Sequence, residues 1–234
     1  MTAGAHSPTG RRRSWWFLWG LLTLGAFGVA AVFVPPYLVG GTTVPGLDRT
    51  TPGYYTSLVI HAVPAGTALV IGPLQFVPQW RRRFPRLHRV LGRTYLVAVV
   101  GASLAAVYAS AVTKSGFPLQ VAFFTLIAAW LYTAAMAYRT IRRGEVQLHR
   151  IWMIRNYSLT FAAVTLRVYQ LPLLALMDSV DWLTYQDVYT VSAWMSLLGN
   201  VLVTEFFIVQ RSLTRLAGSR PSPAGIARTP TTAA

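Results

Sequence analysis

The chain has 234 residues, 54% of them hydrophobic and only 12% charged, with a formal charge of +15 and no cysteine. Soluble domains carry about 25% charged residues, so much of this surface faces something other than water. The missing cysteine excludes disulfides, thiolate metal sites and a cysteine nucleophile.

Residues 1–14 are polar and basic and read as a disordered cytoplasmic tail. Apolar runs long enough to cross a hydrocarbon core of about 30 Å then follow at 15–38, 54–78, 90–112, 117–138, 151–176 and 188–210. The first run is too long for a signal-peptide core, and no small-x-small cleavage site follows it. The 39–53 connection carries turn signals at Gly40-Gly41, Pro45-Gly46 and Pro52-Gly53. A tight turn at Ser115-Gly116-Phe117-Pro118 joins runs three and four, and an acidic, aromatic loop at 178–187 joins five and six. Trp15, Trp16, Trp19, Tyr54, Tyr55, Trp80, Trp182, Tyr185 and Tyr189 lie near predicted ends, as in interfacial aromatic belts. Residues 212–234 read as a second disordered tail. The expected fold is an all-α integral membrane bundle of six helices, one domain over 15–211, with no room for a soluble catalytic domain.

The charge is segregated by loop. Arg11, Arg12 and Arg13 precede run one. Arg81, Arg82, Arg83, Arg86 and Arg89 lie between runs two and three, and Arg139, Arg142, Arg143 and Arg150 between four and five. Arg211, Arg215, Arg220 and Arg228 follow run six. The alternate loops hold Arg49 and Lys114 as bases but Asp48, Asp178, Asp181 and Asp187 as acids. Basic loops stay cytoplasmic, so the expected topology has both termini inside a bacterial plasma membrane. The partner of the basic loops is then the anionic headgroup layer, and nucleic acid is not expected because no basic face stands clear of the membrane surface.

One signature occurs twice. Arg81-Arg82, four residues, then Leu87-His88-Arg89 recurs 61 residues later as Arg142-Arg143, four residues, then Leu148-His149-Arg150. Runs two–three and four–five would then be parallel duplicates. His88 and His149 start their helices at one membrane face, and Gly92, a turn beyond His88, leaves space for a flat ligand. Two imidazoles at one depth are what a six-coordinate b-type haem needs, with Arg89, Arg93 and Arg150 near its propionates. The competing reading is a pair of interfacial histidines bonded to loop carbonyls or headgroups. No third ligand favours zinc. There is no Gly-x-Ser-x-Gly serine, carboxylate pair or phosphate loop.

Polar groups at membrane depth usually face the protein interior. Glu205 is expected to pair with Arg155 or Arg93, as a structural bridge or a proton relay. His61, about 10 Å inside the outer edge, and Arg167 form an outer polar site. His61 reads either as an interhelical hydrogen bond or as a ligand or proton carrier, and Met195 shares its depth. Arg167 reads either as an anchor to Asp178, Asp181 or Asp187 or as a contact for an anionic ligand.

These residues carry a resemblance. His61 with Gly72-Pro73-Leu74-Gln75-Phe76, the stretch Arg83-Phe84-Pro85-Arg86-Leu87-His88-Arg89-Val90-Leu91-Gly92-Arg93-Thr94-Tyr95, and His149-Arg150-Ile151-Trp152-Met153-Ile154-Arg155-Asn156-Tyr157 make up most of it. Thr165-Leu166-Arg167, Asn200 and Glu205 complete it. Over roughly 54–212 the chain resembles the bacterial multi-pass membrane proteins grouped as domain of unknown function 2306, a resemblance that implies a membrane bundle and names no reaction. More loosely it is similar to the di-haem transmembrane cytochromes b. Those carry two histidine pairs on four helices, whereas run four here has no histidine, which leaves at most one haem site. The open functions are therefore electron transfer or sensing through one haem b, proton-coupled transport, and a membrane partner subunit without chemistry of its own.

Overall fold

The computed structural model describes residues 8–40, 50–177 and 179–218, and among these it is helical with no strand. The helices are α1 (Pro8–Phe33), α2 (Pro35–Leu38), α3 (Tyr54–Gln75), α4 (Pro78–Arg83), α5 (Pro85–Val112), α6 (Phe117–Arg142), α7 (Val146–Thr160), α8 (Ala162–Met177) and α9 (Tyr185–Gly218). Six spans are long and apolar enough to cross a membrane: Arg13–Leu38, Tyr54–Gln75, Pro85–Val112, Phe117–Arg142, Val146–Met177 and Tyr185–Ile208. Large apolar side chains such as Phe17, Val97, Leu104, Leu171 and Leu202 are exposed along them, which suits lipid and not water. The six-helix membrane fold expected from the apolar runs is therefore the observed one.

The span limits differ from expectation at one end. The third and fifth spans start five residues earlier than the apolar runs, at Pro85 and Val146. The added turns are basic, so hydropathy misses them, yet the backbone stays helical into the headgroup zone. Pro85 sits in the first turn of α5, where its missing N–H costs nothing. α1 takes in residues 8–14 and α9 runs on to Gly218, while 1–7, 41–49, Asp178 and 219–234 lie outside the described residues.

The bundle is built on two antiparallel pairs, α3 against α5 and α6 against α7, with α8 against α9 beside them. α1 is peripheral: only 6% of its most apolar window is buried. It leans on α3 and α8 because glycine allows close approach there: a Cβ at Gly66 would lie 2.7 Å from Val34 Cγ2. The fifth span changes helix at Phe161, between α7 and α8. Gly53, Gly116 and Gly144 take positive φ at the turns before α3, α6 and α7, conformations open to glycine at low cost.

The centre holds Tyr95, Trp130, Tyr157 and small residues of α3, α5 and α6. Gly72 and Pro73 make Tyr157's place. A Cβ on Gly72 would overlap the Tyr157 ring. Proline has no N–H for the carbonyl four residues back, which frees Leu69 O to accept the Tyr157 hydroxyl at 3.1 Å. α7 is held to α9 by a reciprocal pair, Ser158 Oγ to Asn200 O at 3.0 Å and Asn200 Nδ2 to Ser158 O at 2.9 Å.

Candidate functional site

His88 and His149 are each the fourth residue of their helix, α5 and α7. Their amides bond in the same way, to Phe84 O at 3.1 Å and Glu145 O at 2.9 Å, so the repeated signature builds the same helix start twice. The two rings lie within electrostatic range of one another, with Arg81 beside His88. His149 Nδ1 is 2.8 Å from Ala137 O on α6. A carbonyl can only accept, so Nδ1 carries the proton and donates. Arg89, Arg93 and Arg150 are exposed around this basic end.

Beyond the histidines α5 and α7 make no close backbone approach among the described residues, and side chains fill the gap. Gly92 faces Gln75, whose Oε1 would lie 3.6 Å from a Cβ there. Tyr157 sits between Phe76 and Tyr95, with ring centroids at 5.5 and 6.5 Å. Met153 packs against the same cluster.

Glu205 meets Arg155 and not Arg93. The contact is bidentate, Nε to Oε1 at 2.6 Å and Nη2 to Oε2 at 2.7 Å, the fork geometry that distinguishes arginine from lysine. The guanidinium also lies 4.7 Å over the Trp152 ring. The pair is not deeply buried: its side chains are 28% and 39% exposed.

Toward the opposite end the six spans enclose a cavity of about 260 Å³. A single water needs about 10–15 Å³, so the space suits a larger occupant. Its walls are mostly apolar, from Val29 and Ala30 of α1 through Leu58 and Ala65 of α3 to Leu126 of α6 and Leu197 of α9. Tyr37, Tyr54 and Thr113 lie at its rim, and Trp130 and Thr160 at its deep end. His61 and Arg167 both line it. These two, on α3 and α8, are brought to one space, whereas Met195, 44% exposed, is not among the lining residues.

Arg167 donates to Gln170 Oε1 and its guanidinium lies 4.5 Å over the Phe33 ring. Among the described residues no carboxylate pairs with it, neither Asp181 nor Asp187; Asp178 lies outside them. Tyr37 and Tyr189 are within electrostatic range. Asp187 instead caps its own turn, accepting from Thr184 N at 3.1 Å.

The deep end rests on a hydrogen-bond network. Trp130 Nε1 donates to Thr160 Oγ1 at 2.9 Å, and Thr160 Oγ1 is 2.7 Å from the Tyr95 hydroxyl. That hydroxyl donates to Asn156 Oδ1 at 2.7 Å. Asn156 Nδ2 donates to Trp130 O and Thr133 Oγ1, both at 2.8 Å. Such a satisfied buried network fixes the side chains that form it. Trp130, Thr160 and Gln170 went unread in the sequence; the signal for Gln170 was an amide one helical turn beyond Arg167 inside an apolar run.

The family described as predicted membrane proteins, DUF2306, matches residues 58–208. The chain belongs to this family. No curated protein and no solved structure matches it. The DUF2306 region takes in His61, Arg167, the Tyr95–Asn156 network and the Arg155–Glu205 pair. Among its described residues no group of three or more histidines and carboxylates is placed to hold a metal ion.

Proposed function

We propose that this DUF2306 protein binds a small, largely apolar molecule with an anionic head in the cavity between its six spans. One observation carries the reading: Arg167 lines an apolar cavity, and among the described residues no carboxylate pairs with it. Arg167 is partly buried, and a charge at membrane depth is costly without a counter-ion. Gln170 and Phe33 offset part of that cost; an anionic occupant would offset more. The rim tyrosines suit an interfacial entrance, and the apolar walls suit a chain or ring.

By the charge segregation the basic loops face the cytoplasm of a bacterial cell and the cavity opens toward the outer leaflet. Release on the other side would make the protein a small carrier, and the Trp130–Thr160–Tyr95 network is the barrier that would have to open. A partner subunit without chemistry has no use for such a cavity.

A second reading, one b-type haem between the third and fifth spans for electron transfer or sensing, draws support from the paired His88 and His149 rings. When bound, the haem would supply one-electron chemistry, and the two imidazoles would hold it. Gln75 packs on Gly92, and Phe76, Met153 and Tyr157 pack with Tyr95 one to two turns beyond the histidines, so the cavity reading fits the packing better. A Soret band abolished by His88→Ala and by His149→Ala would reverse that order.

The cavity reading is tested with 12-bromododecanoate, whose bromine quenches nearby indoles. Quenching should saturate and should drop in Trp130→Phe, because Trp130 lies at the deep end. Quenching that never saturates, or that is identical in wild type and variant, would overturn it.

A further inference from the structure

His61 adds a second demand on the occupant. Its Nδ1 lies 2.9 Å from Ala102 O on α5. A backbone carbonyl accepts and cannot donate, so Nδ1 carries the proton and, in the neutral ring, Nε2 presents only a lone pair. His61 lines the cavity, and no described residue donates to Nε2. The α5 carbonyl thus fixes the tautomer and ring plane and leaves one oriented acceptor for whatever fills the space. Arg167 lines the same cavity with donors, and among the described residues no carboxylate pairs with it.

The two needs are complementary within one molecule: an anionic group at the guanidinium and an O–H or N–H donor at the imidazole. A simple alcohol or a plain fatty anion would leave one of them unmet and a hydrocarbon both, and an unmet polar group in an apolar site costs affinity.

Resting on the preceding reading, we infer that the occupant is a hydroxylated apolar anion, a hydroxy acid or a hydroxyl-bearing phosphate ester, whose hydroxyl donates to His61 Nε2. A carboxylate and a phosphate share the anionic chemistry here, and the probes separate them.

The experiment measures equilibrium binding of dodecanoate, of 2-, 3- and 12-hydroxydodecanoate, and of dodecyl phosphate to the full chain in nanodiscs. At least one hydroxy isomer should bind about fivefold or more tighter than dodecanoate, as one hydrogen bond of roughly 1 kcal/mol implies. In His61→Phe that preference should fall to about one. His61→Gln can still donate to Ala102 O and accept from a ligand, and should retain part of it, which guards against a variant that merely misfolds. Equal affinity of dodecanoate and every hydroxy isomer in the wild type, or a preference that survives His61→Phe, would overturn the inference while leaving the anion site standing. If dodecyl phosphate binds tightest, the head is a phosphate and the hydroxyl test is repeated on that series. Failure of every anion to bind would overturn both readings.

Discussion

The Tyr95 hydroxyl donates to Asn156 Oδ1 at 2.7 Å, across a sequence separation of 61 residues. That is also the separation of the two Arg-Arg…Leu-His-Arg signatures, so the residues that meet hold equivalent places in the repeat. Each lies seven positions beyond a histidine, about 10 Å along its helix. The equivalent helices therefore meet through these two side chains at the centre.

Tyr95→Phe removes two hydrogen bonds from this network, to Asn156 and to Thr160. Interhelical hydrogen bonds in membranes average about 0.6 kcal/mol, with a maximum near 1.7. Asn156→Leu should cost more, since it removes the bonds to Tyr95, Trp130 O and Thr133 Oγ1 together. Thermal unfolding in detergent should rank wild type above Tyr95→Phe and Tyr95→Phe above Asn156→Leu. The opposite order of the two variants would show that the Tyr95 hydroxyl, and not Asn156, organises the centre.

Gly72→Ala should destabilise the bundle by about 1–3 kcal/mol, the cost of overpacking, because the new methyl overlaps the Tyr157 ring. Tyr157→Leu in the same chain should return part of the loss. If the two substitutions simply add, the rings and α3 do not meet as described.

Arg155 and Glu205 are partly exposed toward the basic end of their spans; where water reaches such a pair it is worth about 1 kcal/mol or less. Glu205→Gln should lower the unfolding midpoint slightly, and the swapped pair Arg155→Glu with Glu205→Arg should recover part of it. A single substitution that unfolds the protein would point to a deeply buried pair and contradict the exposures observed.

The proposed topology rests on the basic loops. Reporter fusions after Gly116 and Asp181 should read periplasmic, and fusions at Arg143 and Arg220 cytoplasmic. A periplasmic reading at Arg220 would invert the cavity's direction.

The six spans were readable because each is an unbroken apolar run, and the basic loops divide them. The helix starts at Pro85 and Val146 were not, because Arg86, Arg89 and Gln147 carry the helix outside the apolar window. His61 and Arg167 each stood out as costly residues at membrane depth. Their meeting in one cavity did not, since it depends on how α3 and α8 rotate and tilt, which packing and not periodicity determines. Tyr95 and Asn156 both lay inside the recurring motifs, but a hydroxyl and an amide among apolar residues say little until their helices face each other. Gly72-Pro73 read as a motif without a reason; the reason is Tyr157, 84 residues away in the chain.

The central claim is that Arg167 holds an anion in an apolar cavity. It is tested by the ratio of dodecanoate to dodecanol affinity, measured by calorimetry in nanodiscs for the wild type and for Arg167→Gln. A hydrogen-bonded charge contributes roughly 1.5–3 kcal/mol, so the wild type should favour the carboxylate and the ratio should fall at least about tenfold in the variant. Absence of saturable dodecanoate binding in the wild type, or an unchanged ratio in Arg167→Gln, would contradict the account.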